Sequence, residues 1–450
     1  MEKINKITNN QTDFQEVDLL NIKAEEARKS NNDLSLTLSK EAIGKAQLLG
    51  YSKGLAKAYL NAGISCRLSS NFEAAVDYYE EALKLNRSLD DKHNESRTLN
   101  ALANVYYNLS NFQKAIEYYD ECVFVLQSLG EIDFEAVVLT NRGLSYQQFG
   151  DIRASLNNYL ESLSIYRSMN LPVHYALYNN LGIVYLETGS YNEALKYFVE
   201  ALKKTQSEKN IIDESFTLAN IGRTYIYMED YSNAITYLSE ALIMMKKFGN
   251  RQAESQVFSN LGKAFMKMRS FPEAIKYYNR ALKYYREISD TSSVSHTLCE
   301  LGELYFELND YKSSKQYFID GLGVSKQIND IVNEVRTNTG LAKLYVKFQD
   351  SETASVYLLN AEELAKSRNS YKELSKISKI FSDSYSAIGK KEEAKKSLEM
   401  HYEYLRKMIN LEEENKINSI MLGHLSNNNG NDGLFGKYLN DKVEKMVSNG

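Results

Sequence analysis

Small residues recur along this chain at a nearly constant interval, each inside the same pattern of apolar positions. The anchors are Gly63, Ala103, Gly143, Gly182, Gly222, Gly262, Gly302 and Ala342, and successive anchors are 39 or 40 residues apart. Leu or Ile usually precedes the anchor, and an aromatic residue follows it by three positions, as in Leu181 and Tyr185 around Gly182. Positions four residues apart share one face of a helix. The pattern therefore predicts a helix around each anchor.

A second set of positions predicts a second helix in every repeat. After a break such as Gly189-Ser190, an aromatic residue is followed at fixed spacing by a small, a large apolar and another small residue. In one repeat these four residues are Tyr191, Ala194, Phe198 and Ala201. Each repeat then forms a hairpin of two antiparallel helices, and only stacking against its neighbours buries the apolar face of a hairpin.

The run NNLGIVYLETGSYNEALKYFVEAL at residues 179–202 resembles the tetratricopeptide repeat, and the same frame covers about residues 20–400. The chain has no tryptophan, although the motif usually carries one, and its period is longer than the usual 34 residues or so. This longer form resembles kinesin light chain, the Pins-type polarity scaffolds and the Rap-type peptide receptors of bacilli, which all bind peptides or proteins. The resemblance implies an all-α fold, a right-handed α-solenoid of about ten antiparallel helix hairpins.

The repeat frame and the composition predict four segments. We expect an N-terminal tail over residues 1–15, the tetratricopeptide-repeat solenoid over residues 16–400, and a C-terminal capping or exit helix over residues 401–425. Residues 426–450 are expected to form a flexible linker, rich in Asn and Gly, and a short amphipathic tail.

Composition narrows the function classes. A net charge of −5 with interspersed charges disfavours nucleic-acid binding. No apolar run approaches the roughly 18 residues of a membrane-spanning helix, and the N-terminus lacks the apolar region of a secretory signal. Three cysteines, an odd number, fit a reducing compartment. We therefore expect a cytoplasmic protein that is not inserted in a membrane.

Familiar catalytic and metal-binding motifs are absent from the sequence. The chain shows no glycine-rich phosphate loop, HExxH or CxxC motif, and its five histidines are scattered. The sequence therefore predicts a protein that is not an enzyme and needs no cofactor or metal.

In tetratricopeptide repeats the first helix of each hairpin lines the concave face. The exposed side of that helix then lies six and two residues before the anchor and one and five residues after it; these positions are named the A-helix stripe. Two residues before the anchor lie Asn61, Asn141, Asn180, Asn220 and Asn260. An amide offers donors and an acceptor to the main chain of an extended peptide, and in the resembling families asparagine here holds peptide backbone. The alternative is that each amide bonds its neighbouring repeat or water.

Charged and aromatic residues complete the predicted peptide-binding set. They are Arg223, Tyr227, Lys263, Lys267 and Glu303. The cations would clamp an acidic side chain or a terminal carboxylate. The alternative is a ladder in which Lys263, Glu303 and Lys343 pair across adjacent repeats, each exposed pair contributing about 0–1 kcal/mol.

Four apolar residues lie four positions after their anchors. Leu186, Ile226, Met266 and Phe306 would either receive an apolar ligand group or pack internally.

The sequence thus predicts a non-enzymatic scaffold or adaptor that holds an extended peptide or protein segment in its groove. The alternative is a regulatory or sensory component of a bacterial signalling system, whose C-terminal helix relays ligand binding to a kinase, cyclase or response-regulator partner. The pattern leaves the oligomeric state open.

Overall fold

The computed structural model describes residues 2–368 and 370–407, with side chains from Thr12 onward. This part of the chain is helical and contains no strand. The first eight helices are α1 (Glu2–Ala27), α2 (Asn32–Leu49), α3 (Ser52–Leu68), α4 (Phe72–Ser88), α5 (Lys92–Asn108), α6 (Phe112–Leu129), α7 (Ile132–Phe149) and α8 (Ile152–Ser168). They are followed by α9 (Tyr175–Glu187), α10 (Tyr191–Ser207), α11 (Ile211–Tyr227), α12 (Tyr231–Phe248), α13 (Arg251–Lys267), α14 (Phe271–Glu287), α15 (Thr291–Glu307), α16 (Tyr311–Gln327), α17 (Ile331–Lys347), α18 (Ser351–Ser367), α19 (Tyr371–Ala387) and α20 (residues 391–407).

Odd- and even-numbered helices pair as the first and second helices of ten hairpins, which confirms the predicted all-α solenoid of helical hairpins. The described residues divide into two compact units, one ending at Val173 and the other beginning at His174. Unit 1 contains α1–α8 and unit 2 contains α9–α20. Within each unit, the second helix of one hairpin packs against the first helix of the next.

Asp and Asn residues mark the starts of most helices. Asp290, for example, accepts a hydrogen bond from the backbone N–H of Ser293 at 3.1 Å, and so satisfies one of the N–H groups that the first turn of α15 leaves free. The residue before such a cap has a positive φ, 58° at Ser289 and 66° at Gly249. The turn signals seen in the sequence therefore set the helix boundaries through capping.

Each anchor glycine faces the large apolar residue of the second helix. A Cβ atom added to Gly222 would lie 2.7 Å from Cγ of Leu238, and one added to Gly302 would lie 2.6 Å from the Phe318 ring. These large residues are themselves buried: Tyr79, Tyr119, Tyr159, Phe198, Leu238, Tyr278 and Phe318. The small anchor therefore sets how closely the two helices of a hairpin approach.

The aromatic residue three positions after the anchor stacks on an aromatic residue of the second helix. Six such pairs have centroids 5.2–5.7 Å apart: Tyr106–Tyr118, Tyr185–Tyr197, Tyr225–Tyr237, Phe265–Tyr277, Tyr305–Tyr317 and Tyr345–Tyr357. Both members belong to the same hairpin. These pairs therefore stabilise the contact between the two helices of each hairpin.

Helix bounds differ from the expected segment limits at both ends. Helix α1 begins at Glu2, inside the segment expected to be a tail, and Phe14 already stacks on Tyr51 of the next hairpin at 4.4 Å. Helix α20 runs through residue 400 without a break. Residues 408–425 of the expected exit helix, and the expected linker and tail over residues 426–450, lie outside the described residues.

Candidate functional site

A cavity of about 470 Å³ opens on the A-helix stripe of unit 2. The first helices α13, α15, α17 and α19 supply most of its lining, with additions from the turn before α14, from the start of α14 and from Phe318 in the middle of α16. Two predicted residues, Lys267 and Glu303, line this cavity. The 40-residue period brings them together because it places the same helical face of successive repeats side by side.

The cavity carries unpaired positive charge. Lys267, Arg269 and Lys343 line it, and no carboxylate among the described side chains lies within 4.0 Å of any of them. The other two lining cations are paired, Lys376 with Glu373 at 3.0 Å and Arg336 with Glu303 at 3.5 Å. Glu307 also lines the cavity and has no cation within 4.0 Å among the described side chains, so the three free cations leave a net positive charge for an acidic ligand.

Apolar side chains lie next to these charges. Met266 and Phe306 are partly exposed and line the cavity together with Phe271. Their counterparts in earlier repeats, Leu186 and Ile226, are buried. Of the four apolar residues, the two in the earlier repeats therefore pack internally, and the two in the later repeats form a surface that a ligand can reach.

A buried ionic cluster underlies one wall of the cavity. Glu300 occupies the position that holds asparagine in other repeats, and only 6% of it is exposed. Its carboxylate accepts hydrogen bonds from the Arg336 guanidinium at 2.7 Å and from the Tyr278 hydroxyl at 2.9 Å. The guanidinium also lies 2.7 Å from Nδ1 of His296. Arg336 thus joins two repeats. The ladder of Lys263, Glu303 and Lys343, which was the alternative interpretation, shows no ion pair among the described residues; Glu303 pairs with Arg336 instead.

Opposing effects set the protonation states in this cluster. Burial by itself would raise the pKa of Glu300, but the charges of Arg336 and His296 and the Arg336 hydrogen bond lower the pKa to about 2. Burial and the adjacent Glu300 charge raise the pKa of Glu303. Burial and Arg336 lower the pKa of His296. Glu300 and Arg336 therefore form a permanent buried ion pair at neutral pH, whereas Glu303 is the carboxyl more easily protonated.

Of the other predicted charged and aromatic residues, Arg223 and Tyr227 lie on α11, one repeat before the cavity, and Lys263 lies on α13. The Nζ atom of Lys263 sits 5.3 Å from the centroid of the Tyr227 ring, a cation–π contact. Nε of Arg223 is buried and has no hydrogen-bond partner among the described residues. These three side chains extend the A-helix stripe from the cavity but do not line it.

The predicted asparagines separate into two groups. Asn61, which is 2% exposed, donates to the main-chain oxygen of Asn21 at 3.3 Å, and Asn220 donates to Oδ1 of Asn179 at 3.0 Å. Both bond the neighbouring repeat, as the alternative interpretation held. Asn141, Asn180 and Asn260 are half-buried, and their amides make no hydrogen bond to the described residues.

Arg269, Phe271 and Lys376 line the cavity but were missing from the predicted set. Lys376 lies six residues before Ser382, the residue at the anchor position of the last hairpin. Applying the stripe rule to that hairpin would have found Lys376. Arg269 lies in the turn between α13 and α14, and Phe271 is the first residue of α14, so neither lies on the stripe.

The described part of the chain shows no group of three or more His, Cys, Asp or Glu residues placed to hold a metal ion. None of its helices is both long enough and apolar enough to span a bilayer.

The tetratricopeptide repeat models match residues 56–89, 94–168, 174–247 and 253–327, more than half of the chain. No curated protein matches the chain in sequence.

Several solved structures are similar in fold. The apo form of the quorum sensor NprR from B. thuringiensis has a TM-score of 0.54 at 17% identity, covering 76% of this chain and 99% of that one. A Rap protein complexed with Competence and Sporulation Factor has a TM-score of 0.51 at 15% identity, with coverage of 78% and 98%. A signal transduction ATPase with a tetratricopeptide repeat sensor from Pyrococcus horikoshii has a TM-score of 0.54 at 16% identity, with coverage of 77% and 52%. At these identities the likeness shows the fold alone.

Proposed function

The chain belongs to the tetratricopeptide repeat family, and from that premise we propose that it is a non-enzymatic receptor for an extended peptide, bound along the A-helix stripe of unit 2. The observation that carries the proposal is the cavity bounded by α13, α15, α17 and α19. It combines free cations with a partly exposed apolar surface. The fold likeness to the quorum sensor NprR, and to a Rap protein solved with Competence and Sporulation Factor, agrees with a receptor of this kind.

The cavity defines the side chains that the peptide should carry. An apolar side chain would pack against Met266 and Phe306, which are covered incompletely by the protein itself. Acidic side chains beside it would pair with Lys267, Arg269 and Lys343. Peptides with one apolar residue flanked by Asp or Glu are therefore the expected ligands.

Two amides are proposed to hold the peptide main chain. Asn180 and Asn260 lie on the stripe of α9 and α13, and neither amide bonds another described residue. An asparagine side chain can donate to a peptide carbonyl and accept from a peptide N–H at once. Because this recognition uses only the main chain, it adds affinity for any extended sequence.

A selection of short random peptides against the full chain tests the proposal. We expect the selected peptides to combine an apolar residue with flanking acidic ones. Replacing Lys267 and Lys343 together by Gln should weaken their binding about tenfold or more, and the loss should shrink at high salt. The matched control replaces Lys276 and Lys312, which are exposed on the second helices α14 and α16, and should leave affinity unchanged.

The amides are tested separately with the double substitution of Asn180 and Asn260 by Ala. This variant should weaken all selected peptides by a similar factor, whatever their side chains. Selected peptides without acidic residues, or equal affinity for the two lysine double variants, would contradict the proposed site.

A further inference from the structure

Unit 1 contains a second, separate cavity of about 1060 Å³. Its walls come from the first helices α3, α5 and α7, from the end of the first hairpin's α1 and the residues after it, and from the ring of Tyr79 on α4. None of the residues assigned above to the peptide site of unit 2 takes part in it.

Cations in this cavity outnumber the anions that are free to neutralise them. Arg28, Lys29, Arg67 and Arg97 line it, and none of them has a carboxylate within 4.0 Å among the side chains that the structure describes. Of the lining acids, Glu25 is paired with Lys57 at 3.2 Å, whereas Glu131 lies 2.5 Å from Nδ1 of His93, which neutralises it only when the imidazole is protonated. Glu131 and Asp133 therefore remain against four cations. The cavity is therefore electropositive before any ligand enters.

The hydroxyl of Tyr79, in the wall of the cavity, is buried without a hydrogen-bond acceptor among the described residues. Tyr79 is 0% exposed, yet its hydroxyl makes no hydrogen bond with any described residue. Tyrosines at the same repeat position are all satisfied by a side-chain oxygen. Tyr119 donates to Asn104 at 2.9 Å, Tyr159 to Gln147 at 3.3 Å and Tyr278 to Glu300 at 2.9 Å.

The repeat of Tyr79 has replaced each of those acceptors. The positions equivalent to Asn104, Gln147 and Glu300 hold Ile64, Arg67 and Ala101. Ile64 and Ala101 carry no polar atom, and the Arg67 guanidinium is only a donor. Burial raises the pKa of Tyr79 to about 12, so its hydroxyl keeps its proton. The Arg67 guanidinium can therefore only donate toward the Tyr79 oxygen, and the hydroxyl proton of Tyr79 has no acceptor among the described residues.

One more donor points into the cavity without a partner. Nη1 of Arg28 is buried and makes no hydrogen bond within the described residues. The Oδ1 atom of Asn100 is also unpartnered. A 180° flip of that amide exchanges its oxygen and its NH₂ group, and so places a donor where Oδ1 lies. Buried polar atoms are nearly always hydrogen-bonded. Several unsatisfied atoms in one electropositive cavity indicate a polar ligand of negative charge.

We propose that this cavity binds a phosphoryl group, with Arg28 and Arg67 donating to its oxygens and the Tyr79 hydroxyl donating a further hydrogen bond. A phosphoryl group carries up to two negative charges and three acceptor oxygens, which matches several guanidinium groups and one hydroxyl better than the single charge of a carboxylate does. Planar guanidinium groups bind phosphate oxygens through paired N–H donors.

Thermal unfolding of the full chain with millimolar inorganic phosphate tests the proposal. Phosphate should raise the melting temperature because a ligand that binds only the folded state stabilises it. Acetate and chloride at the same ionic strength should have a much smaller effect. Equal protection by all three anions would show a general salt effect and would overturn the proposal.

Arg67→Gln is the decisive variant because it copies the satisfied pair of Tyr159 and Gln147 into this repeat. It should leave the melting temperature unchanged or raised in phosphate-free buffer and should reduce phosphate affinity about tenfold or more. Arg153→Gln, an exposed site on α8 of the same unit, is the matched control and should keep the full phosphate effect. Retention of that effect in Arg67→Gln would refute the site.

Tyr79→Phe and Tyr119→Phe form a second matched pair that does not depend on the arginines. Without phosphate, Tyr119→Phe should lower the melting temperature because it breaks the bond to Asn104, whereas Tyr79→Phe should not. With phosphate, Tyr79→Phe should show a smaller gain than the wild type. Equal destabilisation by the two substitutions would show that the Tyr79 hydroxyl already has a partner.

Two ligand sources share this chemistry, a small phosphate ester and a phosphorylated side chain of a polypeptide. Calorimetric titration with a phosphoserine peptide, its unphosphorylated form and inorganic phosphate distinguishes them. Phosphopeptide binding that is much tighter than phosphate binding assigns the site to a polypeptide. Equal affinities assign it to a small molecule. Binding of the unphosphorylated peptide as tightly as the phosphopeptide would overturn the proposal.

Discussion

Arg336→Met removes the guanidinium that neutralises Glu300 and leaves the rest of the repeat intact. Arg336 and Glu300 are both largely buried, with 20% and 8% of their side chains exposed. Glu300 has a pKa of about 2 instead of 4.5. Each pKa unit corresponds to about 1.4 kcal/mol, so the folded environment favours this carboxylate by about 3 kcal/mol. Since the substitution leaves the buried Glu300 carboxylate without its ion-pair partner, we expect it to lower the free energy of unfolding by about 3–5 kcal/mol near pH 7.

The sign of the pH dependence distinguishes this account from a simple packing loss. In the wild type the contribution of Glu300 is complete above pH 4.5 and is lost as the pH falls toward 2. Without Arg336, burial raises the pKa of Glu300. As the pH falls, protonation then removes the unpaired buried charge, and the variant regains part of its lost stability. The difference between wild type and variant should therefore be much smaller at about pH 4 than at about pH 7.

Several other groups face the Glu300 carboxylate and affect how the stabilities of wild type and variant depend on pH. Tyr278 donates to it, Nε2 of His296 lies 3.6 Å from it, and the charges of Glu303 and Lys263 act on the cluster. Arg336 holds down the pKa of His296, so its removal lets His296 become charged and offset Glu300 at mildly acidic pH. The double variant Arg336→Met with Glu300→Gln removes this coupling and should recover much of the lost stability.

Urea unfolding followed by far-UV circular dichroism measures these differences. The matched control is Arg251→Met, which breaks the exposed pair with Glu287 and should cost about 0–1 kcal/mol. A loss in Arg336→Met no larger than in this control, or a loss that is the same at both pH values, would refute the reasoning.

Other predictions concern packing, the stripe amides and the thiols. Gly222→Leu places side-chain atoms where a Cβ alone lies 2.7 Å from Leu238 and should cost about 1–3 kcal/mol or more, whereas Gly323→Leu, with no atom within 4 Å of its Cβ, should be neutral or stabilising in the same thermal melts. Asn61→Ala should cost about 1 kcal/mol because it breaks the bond to Asn21, while Asn260→Ala should leave unfolding by urea almost unchanged; equal costs would contradict the division of the asparagines. Burial raises the pKa of the thiols of Cys66, Cys122 and Cys299, so iodoacetamide should label them only after urea unfolds the chain; rapid labelling of the native protein would contradict their burial.

Some features could be predicted because each depends on residues close together in sequence. Gly182 and Phe198 lie on the two helices of one hairpin, and their contact recurs in every repeat that has the same residue types. The Asp and Asn caps act on an N–H three residues away. Such short-range rules can be read from one repeat and checked against the next, which is why the hairpins and their number were predictable.

The candidate sites were only partly predictable. Lys267 and Glu303 were placed on the right face by the repeat period. The period could not show that Asn61 and Asn220 turn to a neighbouring repeat while Asn180 and Asn260 do not, because all four occupy the same register position.

The sequence by itself therefore determined the repeating unit, its two helices and the helical face that each residue occupies. The reason is that the same helical periodicity and the same contacts within a hairpin recur in each unit along the chain. Only the tertiary structure decided which polar groups on that face find partners. Arg336 reaches Glu300 across 36 residues, and Tyr79 lacks the acceptor that its equivalents have. Such pairings depend on the reach of individual side chains between repeats. Register brings the residues close, but distance and burial determine whether a hydrogen bond or an ion pair forms.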